Sequence, residues 1–242
     1  MPRVVKEHAV RRNEILDAAL RLVNTKGYEQ MTIQDILDDL QISKGAFYHY
    51  FDSKQALLEA IIERMVDEVE QLLIPIVQAR HMPVLEKLFS FFATPGRFKT
   101  ARKAFFLALL RVWYTDDNAI VRQKVNATGT KRVTPLFTAI IQQGVQEGVL
   151  TTPYPDEAGG VAWSLLQSLG DTLAGLLLSG ESEQDALQRI ERTIAAYTDA
   201  LECILGAPTG SLHLVDTEIL TEWFVSPQER AEAGSFTVSE HR

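Results

Sequence analysis

The chain contains at residues 32–57 the stretch TIQDILDDLQISKGAFYHYFDSKQAL, which decides the fold. Thr32 can cap a helix, and Asp35 three residues later completes a variant of the capping box. A break at residues 41–42 separates this helix from a second, short helix that Ser43 can cap. Two short helices joined by so tight a break, with an apolar inner face, are typical of a helix-turn-helix.

The second of these helices has the features of a helix that reads DNA. Small residues at Gly45 and Ala46 would let its N-terminal end approach base edges closely. The side chains of Lys44, Tyr48 and His49 offer donors that suit phosphate oxygens and guanine edges. Aromatic residues at helical spacing are, taken singly, more often core than contact residues. Their joint appearance behind a capped turn, with small residues first, favours DNA binding.

Neighbouring residues support this interpretation. Phe47, Tyr50 and Phe51 should include the inward anchors that hold so short a helix. Lys54 stands in the first turn of the next helix, where a cation is unfavourable by a few tenths of a kcal/mol against the helix dipole. A nearby phosphate would relieve that conflict.

The charge distribution gives the chain one basic end. The 242 residues have a formal net charge of −8, with 46% apolar and 23% charged residues. Residues 1–26 carry six basic and three acidic side chains, whereas residues 181–242 carry four basic and twelve acidic ones. A basic end can dock on phosphates while the acidic remainder is repelled, which would orient the chain on DNA. With one cysteine, no apolar leader and no long apolar run, we expect a cytoplasmic protein without a membrane span.

Helical periodicity dominates the whole chain, and no stretch alternates convincingly as a strand would. Prolines mark expected interruptions: a helix end near Ile74, a turn at residues 94–96, and a kink near Thr134. The predicted helices cover residues 12–26, 32–40, 43–50, 53–74, 84–93, 99–114, 119–147, 156–178, 183–205 and 216–225.

Residues 12–57 resemble the DNA-binding domain of the TetR family of transcriptional repressors. The matching residues keep a fixed order and spacing: Ile15, Ala18, Ala19, Gly27, Tyr28, Thr32, Ile36, Ile42, Ser43, Lys44, Gly45, Phe47, Tyr48, His49, Tyr50, Phe51, Lys54 and Leu57. The resemblance implies an all-α homodimer whose divergent C-terminal domain binds an inducer. It also implies that the following residues contact DNA: Thr32, Ser43, Lys44, Tyr48, His49 and Lys54.

The expected architecture has three parts. Residues 1–52 form a three-helix helix-turn-helix domain with a basic arm, and residues 53–206 form a helical domain that binds a ligand and dimerises. Residues 207–242 form a tail with one short helix.

Two residues depart from the family's pattern. The family usually has a small residue where Leu37 stands and a glycine where Gln41 stands. Leu37 can fill more of the core, whereas Gln41 must adopt a left-handed or nearby conformation at a cost of about 1 kcal/mol. Gln41 could instead gain a DNA contact, so we count it, with Gly45 and Ala46, among the predicted DNA-binding residues.

Two long C-terminal helices carry the apolar stripes expected of a dimer interface. Helix 183–205 repeats apolar residues at intervals of three and four, and helix 156–178 is rich in leucine and small residues. Both stripes could face only their own domain, but the family's dimerising position favours a four-helix interface and a near-palindromic operator. The predicted interface residues are Leu165, Leu169, Leu173, Leu187, Ile190, Ile194, Tyr197 and Leu201.

Aromatic and polar residues in the same domain predict a small-molecule site, because such sites are apolar cavities with a few polar groups. The predicted lining residues are Arg111, Trp113, Tyr114, Asn126, Phe137, Trp163 and Gln167. Each of them could instead be an ordinary core or surface residue. The lining suggests a hydrophobic or aromatic effector, with Arg111 facing any anionic group. Effector binding would shift the helix at 53–74 and change the separation of the two recognition helices.

The sequence gives little support to an enzyme. The five histidines are scattered without metal-ligand spacing, and no phosphate loop, nucleotide-binding glycine fingerprint or nucleophile elbow is present. We therefore expect no metal or cofactor, and we expect Cys203 to be a buried apolar residue. The alternative is a helical ligand-binding or protein-interaction module without specific DNA binding, against which Lys44, Tyr48, His49 and Lys54 argue.

Overall fold

The computed structural model describes residues 2–179 and 183–224, with side chains from residue 8 and from residue 185 onward in these two ranges. Over these residues the chain is all-α, as predicted, and has no β-strand. It forms two compact units, which are described separately. The helices are α1 (Pro2–Lys26), α2 (Ile33–Leu40), α3 (Lys44–Tyr48), α4 (Lys54–Gln78), α5 (Val84–Thr100), α6 (Lys103–Trp113), α7 (Ala119–Gln146), α8 (Pro155–Leu178), α9 (Glu183–Leu205) and α10 (Thr217–Phe224).

The first unit contains α1, α2, α3, α4 up to Glu68, α6 and the start of α7. One apolar cluster joins α1, α2, α3, α4 and α6, and α6 contributes the buried side chains of Phe105, Leu109 and Val112 to it. A fully buried side chain of this size contributes about 1.5–3 kcal/mol, which holds the five-residue α3 in place although so short a helix is unstable alone. Its members include Ile15, Leu16, Tyr28, Met31, Ile36, Phe47, Phe51, Leu57, Leu58, Ile61, Phe105 and Leu109.

The second unit contains the remainder of α4 and α7 together with α5, α8, α9 and α10. Its core includes an aromatic cluster in which Phe137 stacks on Phe91, with ring centroids 5.2 Å apart, and meets Phe92 edge-on at 5.7 Å. Helices α7 and α8 approach closely at Gly159. A Cβ atom there would lie 2.0 Å from the Oγ1 of Thr138 and 3.2 Å from its Cα, so the packing requires glycine.

The chain after α9 is fixed by a buried carboxylate. Glu202, 5% exposed, accepts hydrogen bonds from the backbone N–H groups of Gly210 and Leu212, both at 2.9 Å. These bonds, the one from Leu212 first, hold the pKa of Glu202 below its usual value. Further on, the indole N–H of Trp223 in α10 donates to the Oγ1 of Thr100 at 2.7 Å.

Several helix ends differ from the prediction because tertiary packing outweighs the local effect of helix-breaking residues. Helix α1 begins at Pro2 rather than residue 12, and α4 continues past Pro75 to Gln78. The expected turn at residues 94–96 is wrong, since α5 runs on to Thr100. Continuing α5 buries Phe98, which is 7% exposed, and this gain outweighs the backbone hydrogen bond that Pro95 cannot make. The short helix predicted at 216–225 is confirmed as α10.

The compact units do not follow a division by position along the chain, because α6 packs in the same core as the helix-turn-helix. The functional boundary at residues 52–53 therefore stays a prediction. The part of the predicted tail beyond residue 224 lies outside the described residues.

Candidate nucleic-acid interface

The N-terminus of α2 is closed by the predicted capping box. The Thr32 Oγ1 accepts the Asp35 N–H at 3.1 Å, and the Asp35 carboxylate accepts the Thr32 N–H at 2.9 Å. Lys26 at the end of α1 donates to the same carboxylate at 2.6 Å. This bond, together with those from Thr32, lowers the pKa of Asp35 to about 2. The Thr32 hydroxyl is thus committed to the cap, and the Asp35 carboxylate, through Lys26, holds α2 against α1.

The turn after α2 adopts the geometry that its sequence predicted. Gln41 has φ 52° and ψ 45°, the left-handed conformation that glycine adopts more easily. Its side-chain amide donates to the carbonyl of Asp38 at 2.7 Å, and Leu37 is buried in the core. A glutamine therefore keeps the turn that the family usually builds with glycine.

Helix α3 has a buried side and an open side. The Ser43 Oγ accepts the Ala46 N–H at 3.2 Å and caps the helix. Phe47 is 0% exposed, whereas Tyr48 is 40% exposed, and Lys44 lies beside the Tyr48 ring at 5.9 Å. The open side presents Ser43, Lys44, Gly45, Tyr48 and His49 to solvent.

Gly45 is not required by any contact within the described chain. The nearest atom to a Cβ built at this position would be the Ser43 Oγ at 4.0 Å, and the residue has no left-handed φ. Its small size therefore leaves the outer surface of α3 unobstructed, as a helix that enters a DNA groove requires.

Helix α1 reaches the end of α3, which the sequence did not predict. The His8 ring lies 5.5 Å from the His49 ring and 4.6 Å from the Tyr50 ring. The guanidinium of Arg12 lies 5.2 Å from the Phe51 ring. The only signal for these contacts in the sequence is the basic N-terminal arm. The contacts place His8 and Arg12 beside the candidate DNA-reading surface.

Lys54 finds partners inside the first unit. Its ammonium donates to the Glu29 carbonyl at 3.2 Å and lies 4.4 Å from the Tyr28 ring. The Tyr28 hydroxyl donates back to the Lys54 carbonyl, and burial raises the pKa of Tyr28 to about 12. Burial also lowers the pKa of Lys54. These contacts hold the Lys54 side chain against the first unit, and its contact with a DNA phosphate stays a prediction.

The predicted effector residues do not gather in one unit. Arg111, Trp113, Tyr114 and Asn126 belong to the first unit, and Phe137, Trp163 and Gln167 belong to the second. Phe137 is 0% exposed within its aromatic cluster, so its assignment to a pocket is corrected to a core role.

Two of these residues do meet at a polar cluster in the second unit. The indole N–H of Trp163 donates to the Oγ1 of Thr130 at 3.3 Å, and that hydroxyl contacts the Gln167 Oε1 at 3.4 Å. One turn along α7, the buried Oγ1 of Thr134 has no hydrogen-bond partner among the described residues.

The predicted dimer residues divide by burial. Leu169, Ile190 and Leu201 are at most 4% exposed in the single chain. They belong to its own core, and their assignment to the dimer interface is corrected. The others keep partly exposed apolar surface: Leu165, Leu173, Leu187, Ile194 and Tyr197. Cys203, expected to be buried, is exposed.

Helix α8 is unusually apolar for its exposure. An 18-residue window in it has a mean hydropathy of 1.3, and only 17% of that window is buried within the chain. By length and composition α8 could cross a membrane, and no other helix among the described residues meets that test. A single such helix is weak evidence for a membrane span, because helices of soluble proteins also meet the test.

The fold and the open α3 surface define a helix-turn-helix protein of the DNA-binding class. The family model "Bacterial regulatory proteins, tetR family" matches residues 15–61, and "Tetracyclin repressor-like, C-terminal domain" matches residues 111–171. The chain belongs to the TetR family of transcriptional regulators.

Individual relatives agree with this assignment. The chain is similar to the uncharacterized HTH-type transcriptional regulator YfiR of Bacillus subtilis, with 29% identity over 61% of this chain and 72% of the relative. It is 37% identical to the HTH-type transcriptional repressor KstR2 of Rhodococcus jostii over 24% of this chain, which spans 29% of that relative. A solved complex of SmeT with triclosan shares the fold, with a TM-score of 0.57 and 16% identity over 84% of this chain and 94% of that chain.

Proposed function

We propose that the chain is a ligand-responsive repressor that binds a palindromic operator as a homodimer in the bacterial cytoplasm. The observation that carries the proposal is the two-sided α3. Phe47 anchors the helix at 0% exposure, while Gly45 meets no atom that would require a glycine and Tyr48 is 40% exposed on the open side. Repression, rather than activation, is supported by the KstR2 likeness.

On DNA, the N-terminal end of α3 would face base edges. Ser43, Lys44 and Gly45 come first, and Tyr48 and His49 follow one turn later on the same open side. Each good contact to a base contributes about 1–3 kcal/mol of discrimination, whereas phosphate contacts give affinity that falls with salt.

The homodimer would use α8 and α9. The sparse burial of the apolar α8 leaves a surface that a second copy can cover, and Leu173 and Ile194 remain partly exposed on the two helices. A two-fold axis would set the two recognition helices about one DNA turn apart, roughly 34–36 Å or a multiple.

The effector would be small and hydrophobic or aromatic. The cluster of Thr130, Trp163 and Gln167 offers an indole ring, a hydroxyl and one amide group, and the likeness to SmeT with bound triclosan supports this class of ligand. Binding would displace α4 and lower operator affinity. Because coupling is reciprocal, operator DNA would weaken effector binding by the same factor.

Selection of bound duplexes from a random pool tests the proposal. We expect an inverted repeat, bound with an affinity that falls steeply with salt. Replacing Lys44 by Gln should reduce the salt slope by about one per protomer, and Tyr48→Ala should weaken binding by about tenfold or more. Lys131→Gln, an exposed cation on α7, serves as the control.

Two outcomes would contradict DNA reading by α3. One is a pool without an enriched sequence, which would favour a ligand-binding module without specific DNA binding. The other is equal loss of affinity in the α3 variants and in Lys131→Gln.

A further inference from the structure

The second unit contains an open cavity of about 670 Å³ where the end of α4, the start of α5 and the end of α7 meet. None of its lining residues belongs to the predicted effector or dimer sets. The wall carries two cations, three amide side chains and one valine: Arg80, Lys87, Gln78, Gln143, Gln146 and Val77.

The unusual member of this wall is Lys87, which is 2% exposed. Its ammonium donates to the Val77 carbonyl at 2.8 Å and to the Gln143 Oε1 at 2.6 Å. Both acceptors are neutral, and no carboxylate among the described residues lies within ion-pair distance. A buried charge without a direct counter-ion is costly, and the C-terminal carbonyl of α4 offsets only part of that cost.

Glu147 is the carboxylate that acts on Lys87 from a distance. One of its oxygens accepts the Val84 N–H at 3.1 Å, and the other accepts the Gln143 side-chain amide. The bond from Gln143 first, then that from Val84 and to a lesser extent the charge of Lys87, lower the pKa of Glu147. Glu147 caps the start of α5 and does not line the cavity, so the cavity itself lacks a negative group.

Arg80 adds a second positive charge at the exposed side of the cavity, and it makes no ion pair within the part of the chain that the structure describes. Its planar guanidinium is suited to carboxylate or phosphate oxygens, and the ammonium of Lys87 has a third N–H to donate. We propose that this cavity binds a small oxyanion, a carboxylate or a phosphate, between Lys87 and Arg80. Gln78 and Gln146 can donate further hydrogen bonds to it.

The test is calorimetric titration of the full chain, without DNA, with sodium succinate and separately with inorganic phosphate. Sodium chloride keeps the ionic strength constant. We expect one saturable site per chain with a dissociation constant on the order of 1 mM, as about two charge-assisted hydrogen bonds would give. Whether succinate, phosphate or both saturate the site identifies the source of the oxyanion.

Arg80→Gln is the deciding variant, because an exposed side chain can be changed without loss of the fold. It should weaken binding about tenfold, whereas Lys131→Gln should leave it unchanged. Lys87→Met should abolish binding. The proposal is overturned if neither anion saturates above the chloride control, or if Arg80→Gln binds as the wild type does. Operator binding measured in parallel separates this result from any failure of the repressor function.

Discussion

Gln41 gives a quantitative test of how the helix-turn-helix is held, because three effects of similar size meet at this residue. Its left-handed backbone costs about 1 kcal/mol relative to glycine. Its side-chain hydrogen bond to the Asp38 carbonyl returns about 1 kcal/mol. Glycine would also make the unfolded chain more flexible, at a cost of about 0.4–1 kcal/mol.

These terms predict losses of different size for two substitutions at the same exposed position. Gln41→Gly loses the hydrogen bond and gains flexibility but relieves the strain, so its free energy of unfolding should fall by no more than about 1 kcal/mol. Gln41→Val loses the same bond and places a β-branched side chain at positive φ, so its free energy of unfolding should fall by about 2 kcal/mol or more.

Urea unfolding at a fixed protein concentration measures both values, with an unchanged m-value as the check on comparability. Equal stabilities for the glycine and valine variants would refute the argument from backbone strain. Operator affinity adds a second result: if the Gln41 side chain contacts DNA, Gln41→Gly will bind less tightly despite its small loss of stability.

Three further predictions follow from the second unit. Gly159→Ala should lower the free energy of unfolding by about 1–3 kcal/mol, because the new Cβ meets Thr138. The control Gly129→Ala has no atom within 4 Å of the new Cβ and should not destabilise the chain, and thermal unfolding compares the two variants. Glu202→Gln should be less stable than the wild type at pH 7. The lowered pKa of Glu202 means that its contribution is present above its unfolded value of 4.5 and is lost as the pH falls through the folded value, so the two unfolding curves should converge in acid. Leu173→Glu should shift the chain from dimer to monomer in sedimentation, and an unchanged dimer would exclude this part of α8 from the interface.

The helix-turn-helix could be predicted in detail because its information is local. Caps and turn conformations depend on residues three or four positions apart, so Thr32, Gln41 and Ser43 were interpreted correctly from their neighbours. The helix ends predicted near Pro75 and at residues 94–96 were wrong because helix-breaking residues give no information about burial. Phe98 lies in the core, and its contribution appears only when the tertiary packing is known.

The dimer and effector residues were harder for a related reason. Periodicity identifies the apolar side of a helix, but it does not tell which part of that side meets the same chain and which part remains open. Leu169 and Leu173 stand one turn apart on α8, yet the first is 4% exposed and the second is partly exposed. Likewise, Phe137 and Trp163 are both aromatic, and only the structure separates a core ring from one with a polar contact.

Two glycines show how the structure separates the needs of the fold from those of a partner. Gly159 is explained within the chain, because any side chain there would collide with α7. Gly45 has no such explanation, since the space around it is open and its backbone conformation suits any residue. The fold leaves this position free, on a helix that Phe47 anchors from the buried side. A DNA groove, which admits a helix only at close range, is the partner that this geometry fits.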